Sequence, residues 1–240
     1  MRTIGLLGGM SWESTAVYYR RINEEVRARL GGLHSAEVLM RSVNFDDIVT
    51  LQRANEWERA ASLLSGLAHD LERAGAACIV ICTNTMHKLA EAVQGSVSVP
   101  LLHIADVTGA AVAKAGCRRP LLLATRYTME QDFYIGRLRD KFDLDPLVPD
   151  ADDRTTVHQT IFDELCQGIV REDSRRRFQE IVARGHAQGA DSVILGCTEI
   201  GLLIGGKDID LPVFDSTLIH ADTAVSFALG NDDVPQLNAA

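Results

Sequence analysis

Short apolar runs recur along the chain, separated by longer stretches in which apolar residues return every three or four positions. The runs are residues 3–7, Val38 to Val43, Cys78-Ile79-Val80-Ile81, Val99 to Ile104, Leu121 to Ala124, Ser192-Val193-Ile194-Leu195 and Leu211-Pro212-Val213-Phe214. Apolar runs without a polar alternation read as parallel strands buried on both faces. The stretches between them read as amphipathic helices. Strand and helix in alternation predict an α/β fold with parallel sheets.

The helical stretches carry their own punctuation. Ser11 caps a helix from about Trp12 to Leu30, with Tyr18, Ile22, Val26 and Leu30 on one stripe and Gly31-Gly32 ending it. A loop or short helix runs through Gln52. Asn55 and Glu58 form a capping pair for a helix with Leu63, Leu64, Leu67 and Leu71 inward, ending at Gly75. Further helices are predicted from Met86 to Val93, Asp106 to Ala115, and Thr128 to Phe142, the last opened by the capping box Thr128-Met129-Glu130-Gln131. Pro146 to Arg154 reads as a polar surface loop and lid. Helices from Thr156 to Val170, Ser174 to Gln188 and Ile219 to Leu229 complete the chain, the last returning to the first half. The tail from Asn231 reads as frayed.

The chain repeats itself. Gly75 to Thr85 lies on Gly189 to Glu199 without a gap, so that Cys82 meets Gly196 and Thr83 meets Cys197. Val99-Pro100-Leu101-Leu102 resembles Leu211-Pro212-Val213-Phe214, and Ile4-Gly5-Leu6-Leu7 with its loop resembles Leu121-Leu122-Leu123-Ala124 with its own. The predicted fold class is α/β: two similar doubly wound parallel-sheet domains related by a pseudo-twofold axis, with the active site in the cleft between them. Residues 1–104 with 215–240 form the first domain and 105–214 the second.

Composition narrows the chemistry. The chain has 240 residues, 46% of them hydrophobic, and a formal net charge of −9. That charge argues against nucleic acid as a partner, and no apolar run is long enough to span a bilayer. Residues 1–4 open a strand rather than a signal peptide. The five cysteines lack CxxC spacing, so neither a disulfide framework nor a metal site is indicated. A reducing cytoplasm fits.

Ligands in open α/β sheets bind beyond the carboxyl ends of the strands. Cys197, past its strand and beside Thr198 and Glu199, is therefore the candidate reactive thiol, with a helix N-terminus expected to lower its pKa. Thr83 occupies the matching place in the first half, followed by Asn84 and Thr85. Its hydroxyl is a poor base without a helper, and His87, one turn on, is the possible assistant. Cys82 points to the other side of its strand. Gly8-Gly9-Met10-Ser11 lets backbone approach a ligand, and the helix after it favours an anion. Arg126, flanked by Thr125 and Thr128, is placed to hold a carboxylate, and Gln52 and Arg53 lie in reach of the same cleft.

Gly8-Gly9-Met10-Ser11, Thr83-Asn84-Thr85, Thr125-Arg126-Tyr127-Thr128 and Gly196-Cys197-Thr198-Glu199 together resemble the aspartate/glutamate racemase family over nearly the whole chain. Members usually carry Cys-Asn-Thr in the first half. The threonine here is similar to the subgroup specific for L-aspartate and L-glutamate. The resemblance implies a small acidic amino acid as substrate, no cofactor and no metal, and a homodimer. It implies that Cys197 removes the α-proton of the L substrate while Thr83 faces the opposite side, and that Met10, Gln52, Asn84 and Thr85 hold the substrate. Ser11, Thr125, Arg126, Thr128, Thr198 and Glu199, from the same motifs, are further substrate-binding candidates. Inverting carbon without a cofactor needs one proton-transfer group on each face, and a threonine on one face predicts faster exchange from L than from D substrate. The alternatives are a relative acting on another small carboxylate (a hydantoin racemase, maleate isomerase or arylmalonate decarboxylase), a non-catalytic amino-acid-binding protein, and a cysteine hydrolase.

Overall fold

In the computed structural model, which describes residues 1–231, strands and helices alternate in the order the apolar runs suggest. The first part comprises β1 (Ile4–Gly8), α1 (Trp12–Leu30), β2 (Val38–Ser42), α2 (Phe45–Arg53), α3 (Trp57–Arg73), β3 (Cys78–Ile81), a 3₁₀ turn (Thr85–Leu89) and α4 (Ala90–Gln94). Then follow α5 (Ile104–Lys114), β4 (Pro120–Leu123), α6 (Arg126–Glu130), α7 (Asp132–Phe142), α8 (Ala151–Asp163), a 3₁₀ turn (Leu165–Gln167), α9 (Glu172–Ala187), β5 (Ser192–Leu195), α10 (Ile200–Leu203), β6 (Val213–Asp215) and α11 (Ser216–Ala228). The expected tail extends past the described residues, so all of it beyond Asn231 lies outside them.

The chain divides into two units, one of Met1–Ile104 with the segment from His220 on, the other Ala105–Ile219. The return to the first unit falls at His220 rather than at residue 215. The start of α11 stays with the second unit because Ser216 Oγ donates to Leu195 O at 2.7 Å and Asp215 Oδ1 accepts from Thr217 N at 2.9 Å.

Each unit holds a wholly parallel three-stranded sheet, β2-β1-β3 in the first and β4-β5-β6 in the second. Single bridges extend both. Leu101 pairs beyond β3 at Ile79, and Leu147 pairs beyond β4 at Leu121. With the bridges included, the two sheets have the same order. Cys78 pairs with Ile4 as Ser192 pairs with Pro120, and Ile79 faces Leu101 as Val193 faces Val213. The repeat read from Gly75 and Gly189 therefore holds in register. The weaker pairing of β1 with β4 is one residue off, since Ile4 matches Pro120 rather than Leu121.

In the first unit, successive side chains on a strand point to opposite faces, and two apolar layers result. Leu7, Ile79 and Ile81 pack with Leu64, Ala68 and Leu71 of α3 and with Met86 and Val93. Ile4, Leu6, Cys78, Val80 and Cys82 pack with Tyr18, Ile22 and Val26 of α1 and with Ala221, Ala224 and Val225 of α11. The last helix thus joins the first unit's core. Truncating a fully buried leucine such as Leu64 to alanine costs about 2–5 kcal/mol.

Several local expectations are corrected. Leu30 and Leu63 are exposed, the α3 stripe being Ala60, Leu64, Ala68 and Leu71. Asn55 does not cap α3: it takes a left-handed φ of 57° and accepts from Trp57 Nε1 at 2.7 Å. The strand expected at Val99 to Ile104 shrinks to one bridge, because Pro100 has no N–H to give a ladder and Ile104 already begins α5. The helix expected from Met86 to Val93 begins as the 3₁₀ turn and becomes α-helical only in α4. Helix α6 is capped at Thr125, not Thr128, and ends at Glu130; Gln131 is extended and α7 starts anew. The segment Pro146 to Arg154 is no lid. Leu147 N donates to Pro120 O at 2.9 Å, and Asp150 accepts from Asp153 N to cap α8.

His220 is fully buried beside Tyr18, whose hydroxyl lies 2.8 Å from His220 Nδ1. Burial lowers the imidazole pKa from the ordinary 6.5 to about 4. A lowered pKa in the fold means that its stabilisation is complete above pH 6.5 and is lost as pH falls towards 4, an effect of about 3 kcal/mol. Chemical denaturation of wild type and His220→Gln between pH 7 and 4 is expected to show a shallower acid slope in the variant. Equal slopes would contradict this account.

Candidate active site

Because each sheet is parallel, the loops after its strands all leave from one edge. In the first unit that edge carries the loop Gly8 to Ser11, Gln52 of α2, and Thr83-Asn84-Thr85 after β3. The two glycines are required by the protein's own packing. A Cβ on Gly8 would sit 2.4 Å from Thr15 Cγ2, and one on Gly9, at φ 89°, 2.2 Å from Val43 O. Thr15 Oγ1 accepts from Gly9 N at 2.8 Å and donates to Ser11 O at 2.9 Å. Ser11 Oγ accepts from Ser14 N at 3.2 Å, so Ser11 is committed as the cap of α1. Met10 packs in the apolar layer with Ile48 and Met86, and the buried Gln52 points Nε2 at Met86 Sδ, 3.0 Å away. Arg53, on the same helix, is exposed.

Thr83, Asn84 and Thr85 are all buried. The Thr83 hydroxyl has no hydrogen-bond partner among the described residues, which leaves it uncommitted. His87 does not assist that hydroxyl. Its Nδ1 lies 2.7 Å from the Thr83 carbonyl oxygen. Burial first, then His103 and His220, hold its pKa well below the ordinary imidazole value, so it is neutral. Cys82 turns into the other apolar layer, where burial pushes its thiol far up.

In the second unit the corresponding edge carries Thr125 and Thr128 after β4, Cys197-Thr198-Glu199 after β5, and Asp215-Ser216-Thr217 at the end of β6. Gly196 is required there, since a Cβ would meet Leu122 Cδ1 at 2.6 Å. Cys197 is 7% exposed. Its Sγ donates to Glu199 Oε2 at 3.0 Å, and Thr198 Oγ1 donates to the same oxygen at 2.6 Å. The thiol pKa is raised, not lowered. Burial is the main cause, followed by the Glu199 carboxylate and then Cys166. Helix α10 is one short turn and starts only at Ile200, so its dipole cannot offset those costs. The Thr125 and Thr128 hydroxyls are 3.3 Å apart and buried. Arg126 is exposed instead. It lies 3.9 Å from Glu130 and donates to Thr155 Oγ1 at 3.3 Å.

Two contributors were not legible in the chain. Thr217 Oγ1 is buried without a partner among the described residues, at the strand end next to β5. Cys166, far from Cys197 in sequence, is half-buried and raises the Cys197 pKa electrostatically. Among the described residues no cluster of His, Cys, Asp and Glu is arranged to hold a metal, and no helix is long and apolar enough to cross a membrane. The edge residues of the two units are thus hydroxyls, amides, one thiol and two carboxylates. Such side chains have the chemistry to hold a small polar molecule and to move protons.

Residues 7–224 match the family model described as Asp/Glu/Hydantoin racemase. A crystal structure from Yersinia pestis, provisionally named an Asp/Glu racemase, is 49% identical. It covers 95% of this chain and 100% of its own, with a TM-score of 0.89. An aspartate racemase homologue from Pyrococcus horikoshii OT3 is 35% identical over 95% of this chain and all of its own, with a TM-score of 0.84. The broad specificity amino-acid racemase RacX of Bacillus subtilis (strain 168) is 21% identical over 93% of this chain and 96% of its own length.

Glu199 raises the Cys197 pKa through its charge, so removing that charge lowers it. The pH dependence of Cys197 alkylation by iodoacetamide, read by peptide mass spectrometry, is expected to have its midpoint above that of free cysteine. In Glu199→Gln the midpoint moves down. A midpoint unmoved or raised in the variant would contradict this electrostatic account.

Proposed function

Because the chain belongs to the Asp/Glu/hydantoin racemase family, we propose that it inverts the α-carbon of L-aspartate or L-glutamate, without a cofactor. Cys197 serves the L face and Thr83 the opposite one. The observation that carries this reading is positional. Thr83 stands two residues past β3 and Cys197 two residues past β5, at the same place in two sheets of matching order and register. The family's members are amino-acid racemases, and the choice of acidic substrate rests on the relatives' names and on the motifs.

The chemistry follows from the environment of the thiol. A thiol held neutral must first give up its proton, and Glu199 Oε2, at 3.0 Å, is placed to accept it. The thiolate then takes the α-proton, and the electron pair left on Cα spreads into the substrate carboxylate. Thr83 Oγ1 gives its proton to the opposite face. The alkoxide that results is reprotonated through solvent at the expense of the Glu199 acid, which restores the starting state. Hydroxyls and amides of Asn84, Thr85, Thr125, Thr128 and Thr198 hold the substrate's carboxylates, a task for which preorganised neutral donors suffice. Met10 and Gln52 shape the first unit's share of the site, and Glu199 acts through Cys197. The dimeric state and the reducing cytoplasm belong to the same reading, supported by the exposed Trp12, Tyr19 and Leu33 and by five free thiols.

Threonine is a far weaker proton donor and acceptor than a thiol, so the two directions are unequal. In deuterated water, α-proton exchange followed by NMR is expected to be faster from L- than from D-aspartate and glutamate. Cys197→Ser lowers exchange from the L substrate at least a hundredfold, in line with the loss of a general base. Thr83→Cys raises exchange from the D substrate. Exchange that survives Cys197→Ser would remove the assigned base. Binding of all four amino acids without exchange would turn the reading to a binding protein, a reading that the raised Cys197 pKa also favours.

A further inference from the structure

Three buried histidines in the first unit line up next to the Thr83 loop. His87 lies between His103, with ring centroids 4.7 Å apart, and His220, at 5.6 Å. Both nitrogens of His87 are engaged. Nδ1 is 2.7 Å from Thr83 O, and the Ile104 amide donates to Nε2 at 3.2 Å. An amide N–H can only donate and a carbonyl can only accept. The proton of the neutral ring must therefore sit on Nδ1. His220 takes the opposite tautomer: Nε2 is 2.8 Å from Leu102 O, and Nδ1 faces the Tyr18 hydroxyl at 2.8 Å.

The partners of these bonds mark the places where the chain changes units. Ile104 is the last residue of the first unit before the chain leaves it, and His220 is the first after it returns. His220 ties the outgoing segment at Leu102, and His87 ties Ile104 to the loop after β3. The loop, whose turn is closed by Thr83 N donating to Ile81 O at 2.8 Å, thereby gains a side-chain anchor two residues beyond the strand.

We propose that His87 is a positioning residue for Thr83: as the Nδ1–H tautomer it clamps the Thr83 carbonyl to the Ile104 amide and so fixes where the Thr83 hydroxyl stands. The proposal rests on the racemase reading above, in which Thr83 delivers the second proton. His87 touches neither substrate nor reacting proton. Its loss should therefore spare proton removal by Cys197 and impair proton delivery by Thr83. The readout is the ratio of inverted product to α-proton exchange from L-aspartate, measured on the full-length protein by chiral chromatography and NMR.

His87→Leu, which loses both bonds, is expected to lower that ratio at least fivefold while exchange from the L substrate stays within twofold. His87→Asn, whose amide can donate from the place of Nδ1, is expected to recover most of the ratio. A folded His87→Leu protein with an unchanged ratio, or one losing exchange and inversion equally, overturns the proposal. Should His87→Leu fail to fold, long-range proton–nitrogen spectra of the wild type decide it. A protonated Nδ1 and bare Nε2 on His87 between pH 6 and 8 support the clamp, and an Nε2–H tautomer or a cation overturns it. Wild-type protein that neither exchanges nor inverts any substrate defeats the racemase reading instead, and with it the assignment to catalysis, while the spectra still report whether the clamp exists.

Discussion

Parallel pairing is the constraint on which the rest depends. Strands that all run the same way send every carboxyl-end loop to one edge of the sheet. A chain built from two such sheets of equal order places equivalent residues at equivalent edges. The match of Ile81, paired with Leu7, and Leu195, paired with Leu123, is enough to make Thr83 and Cys197 counterparts. The core supports this from beneath. Glycines 5, 8 and 196 lie where a side chain would collide with neighbouring strand or helix atoms, so the edge loops are held close to their scaffold.

Electrostatics then decides what each loop can do. The first edge has no thiol, since Cys82 is turned into the apolar layer and Thr83 takes the register position that matches Cys197. The second edge has a thiol that burial and a neighbouring carboxylate keep protonated. In the proposed reaction this protonated thiol, in contact with a buried carboxylate, becomes the base by passing its proton to Glu199. At the matching register position of the first sheet stands the Thr83 hydroxyl, which has no hydrogen-bond partner among the described residues. The asymmetry between the two halves is therefore chemical rather than architectural, because the strands, bridges and registers agree.

Much of this was legible along the chain. Apolar runs without alternation located all but one of the strands to within a residue or two, the run at Val99 to Ile104 giving a single bridge, and α1 has the bounds its stripe and Gly31 predict. The β3 and β5 repeat was readable because both segments are apolar throughout and end in polar triplets. The β1 and β4 pairing slipped by one because Pro120, an unusual strand residue, opens β4 at its first position, where no ladder donor is needed. Local polar patterns misled where tertiary contacts took the same atoms: Asn55 turned to Trp57, and Leu147 filled a sheet position inside a stretch that looked like a loop. Arg126 looked like an anion holder from its neighbours, yet Glu130 and Thr155 occupy it. The thiol pKa went the other way because sequence shows a helix start but not the depth of burial. The histidine chain was invisible, since His87, His103 and His220 are far apart in sequence and meet only through the fold.

The central claim is that one group takes the α-proton and a different group, charged from solvent, returns one to the other face. Incubating wild-type protein with L-aspartate or L-glutamate in deuterated water, then separating enantiomers and weighing them, tests it directly. The account predicts that the D product of the first turnovers carries one deuterium at Cα, while the L pool lags behind in label. D product that retains its original α-proton, or no D product from either substrate, would contradict it.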